Sequence, residues 1–495
     1  MISREFILKN WFTVSLVCFL ILSFTIRFYN YENRWGLAYD QAYSALVARH
    51  AVSELKLPLV GPFSSAGPMQ TGGEWYWFVM LGTVLDPDNV MSPWIFLTLT
   101  YVFFVVFIVF LGKELIDKKF GIILGILTLV STAQIAQSVS LTNQSPLALS
   151  SLIAIWGMIK YIKTKKLRFL LLQGLGVSLA ITFHFQGIAL VIFLFFTVLI
   201  ARVGIRGILV LLTGFFIPLI PLLIFDLQND FVNSKNIIQY YFFDQYKISF
   251  DALGRRWKTY VGVFWPNAWA HIIGGHKLLG YLVIGAVIFS AIFHLLKGKI
   301  KKEWQIILIS FGSMVVLVRY VRTPLYDSYL VFLHPFVLLL TGWVILLLYR
   351  KNKILGIVSL IIIVLFSLAK DVEELNFSKT NYVADETRSL LSTLTSKFPN
   401  EKFSVYSYKY QSAERNLILS LFLDSEEIID INGRPVGLVS GTESAILIYP
   451  SIEGSPPGLR LIDLESSSTA ELKQSDWVEV NPGEIYRVTE QWYTK

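Results

Sequence analysis

Asp40 stands in "RWGLAYDQAYSALVARH", directly after the first long apolar run, Trp11 to Phe28. A carboxylate just past a membrane span can do two things. It can cap a helix, accepting backbone N–H bonds at the positive end of the helix dipole, or it can take a proton from a hydroxyl arriving from outside the bilayer. The second use fits an attack that expels a phosphate leaving group, and such chemistry needs cations to receive the negative charge. "LVRYVRTPLYDSYL" offers Arg319 and Arg322 with Tyr326 and Tyr329 beside them, and "LGRRWKTYVGVFWP" offers Arg255 and Arg256. Arginine holds phosphate through paired N–H bonds and stabilises charge as it develops. Each arginine could instead anchor a lipid headgroup. That account fits Arg319 and Arg322 less well, because a short outer loop disfavours basic residues.

His184, in "ITFHFQG", falls at the outer end of an apolar run. An ionisable group there is a functional candidate, although a neutral histidine hydrogen-bonded between helices is the commoner outcome. Glu74, in "TGGEWYW", could share a divalent metal with His184, His271 or His276. These residues lack metal-ligand spacing, so no metal ligand is assigned and no cofactor is required by them. No phosphate-cradling G-x-x-x-x-G-K-[ST] and no G-x-S-x-G occurs, which removes an ATP motor and one hydrolase signature.

The elements that must position these residues are membrane helices. The 495 residues are 54% hydrophobic and 16% charged, with a mean hydropathy of +0.57; a soluble globule carries nearer ~25% charge. Apolar runs approaching the length of a bilayer span recur at 11–28, 94–112, 119–138, 146–162, 168–185, 187–201, 207–225, 278–296, 304–318, 329–348 and 354–369. They predict an all-α polytopic protein with about eleven spans. Basic clusters around Lys9, Lys119, Lys165, Arg206, Lys301 and Lys351 fall in every second gap. By the positive-inside bias the N-terminus is cytoplasmic and the C-terminus lies outside; the expected location is the plasma membrane. The net charge of +8 is largely this topological signal and gives no nucleic-acid face. The first run also has the form of a signal peptide, but no small-x-small site follows Phe28 and its removal would break the parity. The single cysteine, Cys18, permits no internal disulfide.

Length outside the membrane collects on one face, in loops at about 29–93 and 226–277 and in the tail. The expected organisation is a membrane catalytic domain over 1–370 and a small soluble α/β domain over 371–495. In the tail, "KFSVYSYKY" and "SAILIYP" alternate like strands, "SAERNLILSLFL" has helical spacing, and "GEIYRVTEQWY" closes as a strand. In the first loop, Leu37, Ala38, Ala42, Ala45, Leu46, Val52 and Leu55 predict one apolar face of a helix lying in the headgroup zone, with Gln41 and Ser44 off it. The Gly/Pro-rich stretch that follows ends in Trp75, Tyr76 and Trp77, which suit re-entry into the interface.

Taken in order, these segments resemble the GT-C superfamily of membrane glycosyltransferases, in the branch of the protein O-mannosyltransferases and the aminoarabinose transferases of lipid A. The residues that carry the resemblance are "YDQAY", "GPFSSAGPMQTGGEWYWFV", "SLTNQSPLAL", "FHFQG", "IPLLIFDLQNDFVN" and "YDSYLVFLHPFVLLL", spread over nearly the whole membrane part. Many relatives carry an acid in the second outer turn, where this chain has Asn143 and Gln144, so a two-carboxylate site is not expected. Glu74 stands where a proline is common.

The resemblance implies an inverting transfer of sugar from a polyprenyl-phosphate donor to an acceptor hydroxyl on a lipid, glycan or protein. Asp40 would be the general base and Arg319, Arg322, Arg255 and Arg256 the cations for the donor phosphate. Tyr39, Glu74, Tyr76, Asn143, His184, Tyr326 and Tyr329 would line the substrates. The alternative is a transporter or flippase of lipid-linked sugars. Against it, the polar residues cluster at the outer ends of the runs, and no paired interrupted helices mark two halves.

Overall fold

The computed structural model describes residues 10–64, 69–243, 257–298, 300–319 and 327–376, and five short strands of the tail. Each of the eleven apolar runs contains helix. Seven helices among the described residues are long and apolar enough to cross a membrane: Trp11–Phe28, Ser92–Leu115, Leu147–Thr164, Ile205–Gln228, Lys277–Leu296, Leu330–Lys351 and Lys353–Asn376. Shorter helices fill the other four runs: Lys118–Leu129, Arg168–Phe183, Val191–Ala201 and Lys302–Val318. Helix is what these sequences must form in hydrocarbon, because it satisfies each backbone N–H and C=O within its own segment. The chain is an integral membrane protein, all-α in its membrane part.

The chain divides into two compact units. The first comprises Met1–Tyr31, Leu57–Phe78 and Trp94–Phe377, and the second Glu32–Lys56, Val79–Pro93 and Ser378–Lys495. Within the first, Leu330–Lys351 is the central helix, with 94% of its apolar window buried, whereas Ile205–Gln228 buries 17% and leaves its leucines and phenylalanines outward. The helix Trp11–Phe28 packs through Phe12 and Phe19 against Val105, Val109 and Leu129. Its Arg27 is fully buried, donating to Ser23 Oγ at 2.9 Å and to the Thr128 carbonyl at 3.5 Å.

The helix Arg168–Phe183 is anchored by close backbone contact. It crosses Ile205–Phe216 at a reciprocal pair of glycines: a Cβ on Gly174 would collide with the Leu211 carbonyl, and one on Gly214 with the Leu171 carbonyl. Small residues at such crossings let backbones approach where apolar burial gives no preference between lipid and protein. Its position against Ile205–Phe216 is therefore firmly set.

In the tail, strands Phe403–Ser407, Ile428–Ile429, Ser444–Ile448, Leu459–Asp463 and Arg487–Thr489 form one mixed sheet. Phe403–Ser407 lies parallel to both Ile428–Ile429 and Ser444–Ile448; Leu459–Asp463 runs antiparallel to Ser444–Ile448 and parallel to Arg487–Thr489. Three of these strands coincide with the stretches read as strands from alternation. The segment read as helix, 412–423, lies outside the described residues.

Candidate active site

Two of the expected residues, Glu74 and Asn143, meet Thr182 and Phe183 at the C-terminal end of Arg168–Phe183, and a third, His184, is the residue that follows. Glu74 lies against Thr182. Asn143 Nδ2 donates to the Phe183 carbonyl at 3.0 Å. Gln144 Nε2 lies 3.4 Å from His184 Nε2. His184 leaves the helix in extended backbone, and its Nδ1 accepts the N–H of Gln186 at 3.3 Å as the turn Phe185–Leu190 begins. A neutral ring that accepts at Nδ1 carries its proton on Nε2, so it meets Gln144 best through the amide oxygen.

Glu74 opens the helix Glu74–Leu85 and is 5% exposed. Gly72 makes room for it, since a Cβ there would collide with Glu74 Oε2 and come within 2.6 Å of Thr182 Cβ. Neither carboxylate oxygen has a hydrogen bond of ordinary geometry among the described residues. The Thr182 hydroxyl and the Glu74 N–H lie near enough to favour the charged form somewhat, but the hydroxyl spends its proton on the Leu179 carbonyl at 3.2 Å. Burial therefore dominates and pushes the Glu74 carboxyl up to about 7. Trp77 Nε1 donates to the Pro58 carbonyl at 2.8 Å, Phe78 meets Phe183 edge-on at 6.3 Å, and Tyr76 is buried. These contacts fix the start of the helix.

The strand leading into Glu74, Gln70–Gly72, pairs antiparallel with Val60–Phe63. Its free edge is held by Asn233, whose Oδ1 accepts the Gln70 N–H at 2.8 Å and whose Nδ2 donates to the Gln70 carbonyl at 3.1 Å. Asn233 is set in turn by buried Asp226, which accepts the N–H groups of Asn233 at 2.9 Å and Ser234 at 3.0 Å as well as the Ser234 hydroxyl. Sequence reasoning placed Asp226 and Asn233 in a motif without giving them this role.

Arg319 is 5% exposed, its guanidinium carbon 4.1 Å from the centre of the Trp257 ring. Trp257 meets Tyr260 edge-on at 6.0 Å, and Tyr260 stacks on Phe264 at 5.6 Å. A guanidinium lying on an indole face is oriented by it through cation–π attraction. Arg322, Tyr326, Arg255 and Arg256 lie outside the described residues, as do the side chains of Tyr39 and Tyr329.

Asp40 is exposed, at the second position of the helix Tyr39–Ser53. This corrects the capping expectation: Ala38 holds the N-cap position, and Gln41 Oε1 accepts the Ala38 N–H at 3.0 Å. Ala38 has no acceptor to return the bond, so the cap is one-sided. The expected helix face is corrected too. Gln41 and Ser44 are buried, the first by capping and the second by donating to the Asp40 carbonyl at 2.7 Å, while Leu55 is 91% exposed beyond the helix end. Asp40 belongs to the second compact unit; Glu74, Asn143, His184 and Arg319 belong to the first.

Sequence reasoning also passed over a buried polar layer in the first unit. Gln134 Nε2 lies 2.6 Å from His334 Nδ1, and Thr132 Oγ1 donates to Asp371 Oδ1 at 2.7 Å. The available signal was a polar run, "STAQIAQSVS", following an apolar one. Among the described residues no three of His, Cys, Asp or Glu converge as metal ligands.

No protein-family model and no curated protein matches the chain. Solved structures do. The chain is similar to ArnT from Cupriavidus metallidurans bound to undecaprenyl phosphate, at 12% identity over 84% of this chain and 85% of that one, with a TM-score of 0.57. The apo form of the same protein gives 11% identity, 84% of each chain and 0.56. The Archaeoglobus fulgidus oligosaccharyltransferase in complex with Zn and sulfate gives 14% identity over 83% of this chain and a TM-score of 0.54. This chain spans 61% of that protein's length. At such identities the likeness shows a shared fold and nothing finer.

Proposed function

We propose that the chain is an inverting glycosyltransferase that moves a sugar from a polyprenyl-phosphate donor to an acceptor hydroxyl at the outer face of the membrane. One observation carries the reading: within a GT-C fold, Glu74, Asn143 and His184 converge on the outer end of one rigidly packed helix. One protein of this fold is described as bound to undecaprenyl phosphate, which supports a donor of that class.

In this reading the acceptor oxygen attacks the anomeric carbon as Asp40 removes its proton. The bond from that carbon to the phosphate oxygen breaks on the opposite side, and polyprenyl phosphate leaves with both bonding electrons. One displacement inverts the anomeric centre. General-base help is worth about 10²–10⁴ in rate. Arg319, held by Trp257, receives the phosphate charge with Arg322, or with Arg255 and Arg256. Glu74, Tyr76, Asn143 and His184 line the polar substrate groups with Tyr39, Tyr326 and Tyr329, and Glu74, half-protonated near neutrality, can both donate and accept there. Residues 1–370 form the catalytic membrane domain and 371–495 an extracytoplasmic domain, with the N-terminus in the cytoplasm.

The test is to mix purified protein with a polyprenyl-phosphate sugar and an acceptor extract and to measure released polyprenyl phosphate. Release with transfer supports the reading. Movement of intact donor across a vesicle bilayer without release would make the protein a transporter instead.

A further inference from the structure

A cavity of about 630 Å³ opens where the helices Leu147–Thr164 and Arg168–Phe183 are joined, on the side the basic clusters mark as cytoplasmic. Lys160, Thr164, Lys166 and Arg168 line it at the helix ends. Trp156, also in the lining, lies two turns further along its helix, about 12 Å deeper. Leu171 and Leu172, half-buried, complete an apolar wall. The cavity is therefore polar at headgroup height and apolar below, the profile of a phospholipid rather than of a soluble anion.

Its charge is unbalanced. Lys160 Nζ is paired with Glu114 Oε2 at 3.3 Å, and Lys163 donates to the carbonyl of the same residue. The Thr164 hydroxyl donates to the Lys160 carbonyl at 2.7 Å. Among the described residues neither the Lys166 ammonium nor the Arg168 guanidinium has an acidic partner; Arg168 lies over the Phe169 ring at 5.0 Å, which orients it without neutralising it. Two uncompensated cations thus flank the opening.

We propose that this cavity binds the headgroup phosphate and upper acyl chain of an anionic phospholipid of the surrounding membrane, a site separate from the outer chemistry. A free phosphate would meet the same cations and gain nothing from Trp156, Leu171 and Leu172. The experiment is native mass spectrometry of the full chain titrated with phosphatidylglycerol or phosphatidylcholine. Wild type should prefer phosphatidylglycerol. K166Q/R168Q should weaken that binding by about 25-fold, since each juxtamembrane cation contributes about fivefold, and should leave phosphatidylcholine unaffected. K166R/R168K keeps both charges and should keep the preference, which separates loss of charge from loss of fold. T164W, which fills the cavity and leaves the cations, should also lose the preferred lipid. An unchanged preference in K166Q/R168Q overturns the proposal. Complete displacement by millimolar inorganic phosphate overturns it as well, in favour of a soluble anion.

Discussion

Asn233 closes the edge of a strand that lies 163 residues before it, matching its amide oxygen and nitrogen to the N–H and C=O of Gln70 at 2.8 and 3.1 Å. A side-chain amide here takes the place of the next strand, and the strand it completes leads straight into Glu74. Asn233→Ala leaves two backbone groups unpaired and should cost about 1–3 kcal/mol. It should also lower sugar transfer by displacing Glu74. Melting and transfer rate of the variant, measured together, check this; wild-type values for both would remove Asn233 from the positioning of the site.

Glu74 gives a pH dependence with a definite sign. Its carboxyl titrates near 4.5 when unfolded and at about 7 when folded, because it is buried. Between those values the folded state holds a proton that the unfolded state has released, so stability falls as pH rises, by about 3 kcal/mol in all. Glu74→Gln should abolish that fall, melting higher than the parent at pH 8 and alike at pH 4.5. Parallel melting profiles across this range would mean that the carboxyl is not desolvated.

Asp40→Asn separates base from cap more cleanly than the sequence suggested. Ala38 holds the cap position and Asp40 is exposed, so the change removes only a favourable charge at the helix start, worth about 0.3–1 kcal/mol. If Asp40 is the general base, single-turnover transfer should drop by roughly 10²-fold or more while donor binding holds. Transfer at the parental rate would end that assignment and strengthen the transporter alternative.

Arg319→Ala should raise the apparent donor KM or lower kcat, and Arg319→Lys should restore only part, because an ammonium lacks the planar fork that both stacks on Trp257 and grips phosphate. Parental kinetics in an Arg319→Ala, Arg322→Ala double variant would pass the role to Arg255 and Arg256.

Orientation can be read by labelling. In a Cys18→Ser background, a cysteine at Ser467 should react with an impermeant reagent added from outside and one at Lys301 should not. The reverse pattern would turn the outer loops inward.

The membrane helices were legible because a span is a local property: a run of apolar residues of fixed length carries its own evidence. Strands at 403–407, 444–448 and 487–489 showed for the same reason, through alternation. The site was legible only in its residue types. Asn143, Glu74 and His184 could be singled out as polar groups beside the membrane, but nothing near any of them reveals that one helix end gathers all three. The Asn233 to Gln70 and Gln134 to His334 pairs join positions 163 and 200 residues apart, and a single sequence holds no trace of such a pairing. The capping option for Asp40 fails by two residues: the helix begins at Tyr39, so Ala38 holds the N-cap position and Gln41 Oε1 accepts its N–H.

Buried Arg27 sets an order of events during synthesis. Thr128, whose carbonyl receives the guanidinium, is made 101 residues after it, roughly 5–20 s later at ordinary elongation rates. Through that interval Ser23, one turn earlier on the same helix, is already a partner for the charge. Only when Lys118–Leu129 has been made can the Thr128 carbonyl become the second partner, so this tie between the two helices has to follow the synthesis of both.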